Sequence, residues 1–536
     1  SVVMDGAHHG QNARMPGCEL GRGASLDQGP AVEEGSILGD EVVVGAGAIV
    51  KPKVRIYPAK SVEAGAIVTE SLVRERRASR HLFGARGVTG LVNVGITPQV
   101  AVRLGMAFGT MLKRGSVIVT GRDASRSART MKRAIIAGLN STGIDVSDLE
   151  LTPMPLTRFT VRAQQAAGGI SVRTSPKDPE SVEIRFFDAD GADITEATQR
   201  KVERLFFRED YRRAGPSKIG ELEFPPRALE QYTAGIIRST DVDAIRQLSP
   251  KVVVDYAYGS TSLVGPSLLG RLGCDVLAVN AFADEHRPVL VSRDLDGLLD
   301  DLCEHVRKSG STMGVLLEPG GEIARIVDDG GRLVSHERAL MAFIQHEVAR
   351  GATRVAVPVS CSRACEDVAA AGGAELEWTP ATLPALMARA SSPDVDFAGN
   401  SEGALIFPGF GPGPDALMTF VKALELAAIA GRPLSQVIDD LPDVHIAVRD
   451  VATPWELKGA VMRSVASVEV PGTLVLVDGV KVVEDDRWAL VIPFPDEPLC
   501  RVWAEAATDA GAEEMADRYA TLVENVVANG PSEETY

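Results

Sequence analysis

An aliphatic residue returns at every sixth position from Leu20 to Val68: Leu20, Leu26, Val32, Leu38, Val44, Val50, Ile56, Val62 and Val68. A helix repeats every 3.6 residues and a flat strand every two, so neither can turn all of these toward one interior. Short strands wound into a prism can, because each hexapeptide lays one strand on one face with its apolar residue inward. Turn formers fill the gaps, among them Gly21, Gly29, Gly39, Gly45 and Gly65. Residues 1–70 are therefore predicted to form a hexapeptide-repeat left-handed β-helix of roughly three to four coils, at about 18 residues per turn. An earlier coil around Ala13, Met15 and Cys18 slips register before Leu20. A prism this short needs one end covered by another domain or subunit. The repeat begins almost at once after Ser1, which predicts a piece of a longer polypeptide.

The pattern stops at Ser71, where SLVRERRASR brings in Arg74, Arg76, Arg77 and Arg80. Residues 71–82 read as an Arg-rich linker, or simply as a solvated charged face. Beyond them strand and helix patterns alternate: VIVTG before MKRAIIAGLNSTG, KVVVDYA before SLVGPSLLGRLG, RVAVPVS before CEDVAAAGG. Repeated β-then-α units imply parallel or mixed sheets covered by helices. No apolar run approaches the roughly 18 residues of a membrane helix. Lys plus Arg number 56 against 73 Asp plus Glu, a net charge of −17, and that field repels nucleic acid and anionic membranes. Six cysteines and no secretory leader fit free thiols in a reducing cytoplasm. Cys361 and Cys365 lack the second pair a zinc site would need. His8 and His9 read as a plain surface pair rather than as an acyltransferase base.

Segments from Leu82 onward keep a recognisable order: LFGARGVTGLVN, VTGRDASRSARTMKRAIIAGLNSTGIDV, GGISVRTSPKDPESVEIRFFDADG, VVVDYAYGSTS and WALVIPFPDEPLCRVWAEA. In turn they resemble FGTxGxRG, the VGRDTR strand and helix, GGIxITASHNPxxxNGxKFFDxxG, VVVDxANGxGS and WxLVRPSGTEPxxRVYxEA of the phosphohexomutase superfamily of phosphomannomutases and phosphoglucomutases. The resemblance implies an α/β, four-domain phosphohexomutase-like fold behind the β-helix. Its three mixed α/β sheet domains would span residues 83–227, 228–340 and 341–447, followed by an α+β C-terminal domain at 448–529 and a disordered tail at 530–536. A β-helix ahead of such a unit is similar to the C-terminal part of long bacterial fusion proteins of the mannose-1-phosphate guanylyltransferase kind. Their nucleotidyltransferase loop, GxGTRLxPLT, has no counterpart in this sequence.

The resemblance also implies phosphoryl transfer between O1 and O6 of a hexose through a phosphoserine, with parts supplied by several loops. TASHNP aligns with Arg173 to Asp178 and places Ser175 at the phosphoserine position, with Pro176 in place of the histidine. Loss of such an acid or base costs about 10²- to 10⁴-fold in rate. By residue type alone, a Ser between Thr and Pro is also an ordinary turn residue. Arg122 of the GRD segment is kept, whereas Thr89 replaces the arginine of the opening segment.

The metal loop DGDGDR, whose aspartates would hold Mg²⁺ through hard oxygen ligands, aligns with Glu318, Pro319, Gly320, Gly321, Glu322 and Ile323. Glu318 and Glu322 are each a methylene longer than Asp and Gly320 offers no ligand, so a solvated Gly-rich turn is the alternative. The sugar loop GExSGG aligns with Gly399 to Ala404, where Asn400 and Glu402 can still bond hydroxyls. A sugar site and a plain loop both remain open there. The phosphate loop RPSGTEP aligns with Ile492 to Pro498, which carries none of the side-chain donors and adds Asp496, a charge that repels a phosphate dianion. No phosphate-binding residue is assigned. GPGPD, Gly411 to Asp415, resembles the structural HPGPD of the same family and lacks the Lys-Ser or Lys-Thr of a phosphate loop.

Altered loops in a matching frame predict a catalytically degenerate unit, the regulatory or assembly part of a sugar-nucleotide biosynthesis protein of the GDP-mannose type. It would bind a sugar phosphate or nucleotide sugar, form a homo-oligomer and need no cofactor. One alternative is an active mutase working through phospho-Ser175 with Mg²⁺. The other is an inert oligomerisation module.

Overall fold

The computed structural model describes residues 1–40, 42–58, 60–69, 71, 77–78, 82–84, 87–287, 289–290, 292–467, 472–494 and 497–529. Arg74, Arg76 and Arg80 of the Arg-rich stretch, Pro495 and Asp496 of the last loop, and the tail 530–536 lie outside them.

Two-residue strands from Val2–Val3 to Arg77–Ala78 stack in parallel into sheets of four, five and three strands. Partners recur 18 residues apart: Glu19 with Ile37 and Ile37 with Arg55, Ser25 with Val43 and Val43 with Ser61, Ala31 with Ile49 and Ile49 with Ile67. The first coil is a residue shorter, Val2 facing Glu19 and His8 facing Ser25. The arrangement is consistent with a three-sided β-helix. All nine aliphatic residues of the repeat are buried, at 4% exposure or less, and a second ring of small side chains (Ala24, Ser36, Val42, Ala48, Val54, Ala66) lies two positions before them. Stacked corners explain the glycines: a Cβ on Gly39 would lie 2.6 Å from the Pro58 nitrogen, and one on Gly45 2.5 Å from that of Ala64.

The rest of the chain builds sheets covered by helices. The first has six strands, in the order Val88–Leu91, Asp178–Phe187, Gly168–Ser175, Val117–Arg122, Asp145–Leu151, Leu222–Glu223. Its centre is parallel, and Asp178–Phe187 runs antiparallel to both neighbours. Two four-stranded sheets repeat one pattern, three parallel strands and an antiparallel edge: Asp275–Val279, Lys251–Asp255, Met313–Leu317, Ala324–Val327, then Glu375–Thr379, Arg354–Pro358, Phe397–Gly399, Leu405–Ile406. The last sheet is antiparallel and five-stranded, from His445–Ala452 to Thr473–Val475, with the helix Asp509–Asn529 against it.

One continuous apolar core serves both four-stranded sheets, running from Leu156 to Leu441 through the helices His336–Ala349 and Ala416–Ala430. The six-stranded and five-stranded sheets each have a core of their own. No helix of the described residues is long and apolar enough to cross a membrane.

Candidate functional site

Each loop singled out in the sequence follows the carboxyl end of a strand, where ligands bind in open α/β sheets. Ser175 ends Gly168–Ser175, Glu318 to Ile323 follow Met313–Leu317, Asn400 follows Phe397–Gly399, and the last loop follows Arg487–Pro493. Side chains tie several of them together. Arg173 reaches Glu322 (Nη1 to Oε2, 2.9 Å) and Lys177 reaches Glu497 (Nζ to Oε1, 2.9 Å).

Ser175 is buried, at 4% exposure, where the strand register breaks before a tight turn. Its Oγ accepts the Lys177 N–H at 3.4 Å. Asp123 fixes this strand end: Oδ2 accepts the Thr174 N–H at 2.6 Å and Oδ1 accepts from Ser125 N–H and Oγ–H. Burial raises the Asp123 carboxyl above its ordinary range against the pull of those bonds. Sequence reasoning passed over Asp123, although it stands next to Arg122 in the same quoted segment. Arg122 itself is buried and spent on framework, donating to the Asp123 carbonyl at 2.9 Å and to Glu150 at 3.2 Å.

At the aligned metal loop, Glu318 accepts from Arg325 Nε at 3.0 Å and Glu322 from Arg173. Mg²⁺ needs near-octahedral oxygens at about 2.0–2.1 Å. These two carboxylates each face a guanidinium, and Gly320 contributes no ligand; a Cβ there would lie 2.7 Å from Arg173 Nη1. The residues present do not fit Mg²⁺. Among the described residues a convergent ligand set exists only at His346, Glu347 and Glu425. Lys422 already lies 2.8 Å from Glu425 and 3.2 Å from Glu347, with Arg350 2.9 Å from Glu425.

In the aligned sugar loop, Asn400 is buried and its Oδ1 accepts the N–H groups of Glu402 (3.1 Å) and Ala404 (2.9 Å). The Asn400 carbonyl oxygen thus closes its own turn, while Glu402 is exposed. Beneath the turn lies His336, a residue the sequence did not bring forward; a Cβ on Gly403 would come within 2.7 Å of its Nε2. Burial, helped by the charge of Arg325, lowers the imidazole to about 4, so it is neutral at pH 7.

Among the described residues, Lys458 and Arg501 stand beside the aligned phosphate loop, and both are engaged. Lys458 donates to the carbonyls of Phe494 and, at 2.6 Å, Glu497. Arg501 forks onto Asp450 and lies over the Phe494 ring, 4.6 Å from its centroid. A cavity of about 640 Å³ lies away from these loops, lined by Arg162, Asp190, Glu347, Arg350, Asp396 and Lys422 among others.

Comparison with known proteins places the chain among relatives of the same fold. Residues 80–213 match the family model for phosphoglucomutase/phosphomannomutase α/β/α domain I, and residues 337–445 match that for domain III. The phosphoglucomutase/phosphomannomutase of Thermococcus kodakarensis is 33% identical over 454 residues, 83% of this chain and 99% of that protein. The crystal structure of a Burkholderia thailandensis phosphoglucomutase/phosphomannomutase family protein superposes with a TM-score of 0.74 at 20% identity, covering 85% of this chain and 99% of the other. The N-acetylphosphoglucosamine mutase of Aspergillus fumigatus, solved with GlcNAc-6P and magnesium, superposes with a TM-score of 0.50 at 12% identity, covering 83% and 96%. With a third of the aligned positions identical to one relative along nearly that relative's whole length, this chain belongs to the phosphoglucomutase/phosphomannomutase family.

Proposed function

We propose that the chain keeps a phosphohexomutase frame without mutase turnover and serves as the regulatory or assembly part of a sugar-nucleotide biosynthesis protein of the GDP-mannose type. One observation carries the reading: both cations flanking the aligned phosphate loop are already engaged. Lys458 is held by backbone carbonyls and Arg501 by Asp450, while Glu497 of the loop itself is tied to Lys177. A phosphate dianion entering there would have to break those contacts or meet uncompensated carboxylates. In this reading a sugar phosphate or nucleotide sugar is sensed rather than converted, and the parallel-strand N-terminal region packs subunits of a homo-oligomer.

A second reading, an active mutase through phospho-Ser175, draws support from the 33% identity to a protein named as a mutase. A coupled assay separates them: mannose 1-phosphate and glucose 1-phosphate, Mg²⁺ and the matching hexose bisphosphate, with Ser175→Ala as control. The proposal expects no turnover from folded protein. Turnover that disappears in Ser175→Ala would establish the active mutase in its place.

A further inference from the structure

Several departures from the family segments meet at one point in the structure. Arg173 stands where TASHNP has its threonine, Glu183 where the NG pair has its glycine, and Gly320 and Glu322 where the metal loop has aspartates. Arg173 and Glu183 face each other across adjacent strands, and Thr89, in place of the opening segment's arginine, faces Glu183 from the other side. The Arg173 guanidinium donates to Glu183 Oε1 from Nε (3.1 Å) and Nη2 (2.8 Å), and to Glu322 from Nη1 (2.9 Å). A side chain on Gly320 would collide with that same Nη1. With an aspartate at 320 the Arg173 guanidinium could not keep its present position.

Charge is balanced around this point. Arg185 lies 3.6 Å from Glu183 and 3.2 Å from Asp193, while Arg158 lies 2.9 Å from Asp193 and 3.6 Å from Glu322. Arg158, Arg173 and Arg185 thus offset Glu183, Asp193 and Glu322 one for one. Burial works against every one of these charges. Even so, the carboxylates hold Arg173 and Arg185 above the ordinary guanidinium range, and the arginines hold Asp193 and Glu322 below the ordinary carboxylate range. A divalent ion added to such a set would find no unbalanced negative charge.

We infer that the Arg173 guanidinium is a resident cation standing permanently in the divalent-metal position of the fold, which makes the site beside Ser175 an internal ion cluster that takes up no metal. The inference uses the family alignment of the metal loop but not the absence of turnover. An active enzyme that needed no metal would overturn the proposed function and leave this cluster as described.

The test is Mn²⁺ titration of the full chain, read by the electron paramagnetic resonance of free ion, alongside thermal melts in EDTA and in Mn²⁺. Wild type is expected to leave Mn²⁺ free up to millimolar concentration and to melt at one temperature in both. Arg173→Ser leaves Glu183 and Glu322 without their shared cation, and each has an oxygen with no hydrogen-bond donor. That variant is expected to melt lower in EDTA, to recover part of the loss in Mn²⁺ and to bind one ion per chain. Micromolar Mn²⁺ binding by wild type that is lost in Glu322→Gln would overturn the inference. So would a folded Arg173→Ser that melts like wild type and takes up no Mn²⁺. If Arg173→Ser fails to fold, the wild-type and Glu322→Gln titrations decide the matter by themselves.

Discussion

The ammonium of Lys177, at the tip of the hairpin that carries Ser175, lies 2.9 Å from the carboxylate of Glu497, 320 positions further along the chain. Both ends are solvent-exposed, at 63% and 44%. Pairs of this kind contribute about 0.2–1 kcal/mol and fade with salt. Its importance is therefore positional: it fastens the hairpin that carries Ser175 in the first sheet to the loop of the last. Lys177→Ala and Glu497→Ala should each move the melting temperature by no more than a few degrees, less at 1 M salt than at 50 mM. They should raise hydrogen exchange in the 175–178 turn. Unchanged exchange there would show that the contact fastens nothing.

Gly39 in the N-terminal coils and Gly270 in a helix should respond in opposite directions. Gly39→Ala drives a methyl into the backbone of Pro58 and should cost about 1–3 kcal/mol, the usual range for overpacking. Gly270 lies in the helix Gly265–Leu272 with open space around its Cβ position. Gly270→Ala should stabilise by about 0.5–1 kcal/mol. Thermal melts of both variants check the contrast.

These two cases mark where the sequence was legible. The six-residue spacing identified nine inward aliphatic residues of the first 70, because one period determines both the turn and the buried face, but not the second ring that includes Val42 and Val54. The sites were legible as positions, since the altered loops fall at strand ends, but not as interactions. Nothing in the local sequence singles out Arg173, Glu183 and Arg185 as partners. The 318–323 loop meets them through Arg173 and Glu322, and no local pattern encodes a loop arriving from 140 positions away. Asn400 left two readings open. Its amide looked available for a hydroxyl, yet Asn readily bonds backbone two residues on, and here that bond is made.

Asn400→Ala should consequently cost about 1–3 kcal/mol, the penalty for leaving buried donors unpaired, and should speed exchange of the Glu402 and Ala404 amides. Glu402→Ala, at an exposed position, should leave stability within about 0.5 kcal/mol and alter only the binding of a ligand at that loop. Equal losses for the two variants would contradict this division of roles.

Two buried groups should oppose each other in the pH dependence of stability. His336 is lowered to about 4 by burial, with Arg325 adding to the effect, so between pH 6.5 and 4 the unfolded chain binds its proton more readily and stability falls as pH falls. Asp415 is raised to about 6 by burial, even though it accepts the Tyr232 O–H at 2.6 Å. Between pH 6 and 3.8 the folded chain therefore holds that proton more readily, and stability rises as pH falls. Each group can contribute a slope of up to about 1.4 kcal/mol per pH unit. His336→Asn should make the protein lose less stability between pH 7 and 5, and Asp415→Asn should make it lose more. Denaturation profiles at those two pH values would reveal a wrong sign for either.

The unbroken core from Leu156 to Leu441 has a mechanical consequence. Two sheets that share one interior cannot separate without wetting it, so they can move only as a single lever. The five-stranded sheet has its own core and meets its neighbour through a small buried cluster of Val359, Trp488, Leu490 and Ile492. The six-stranded and five-stranded sheets, each with a core of its own, can shift against that lever at a smaller cost in wetted apolar surface.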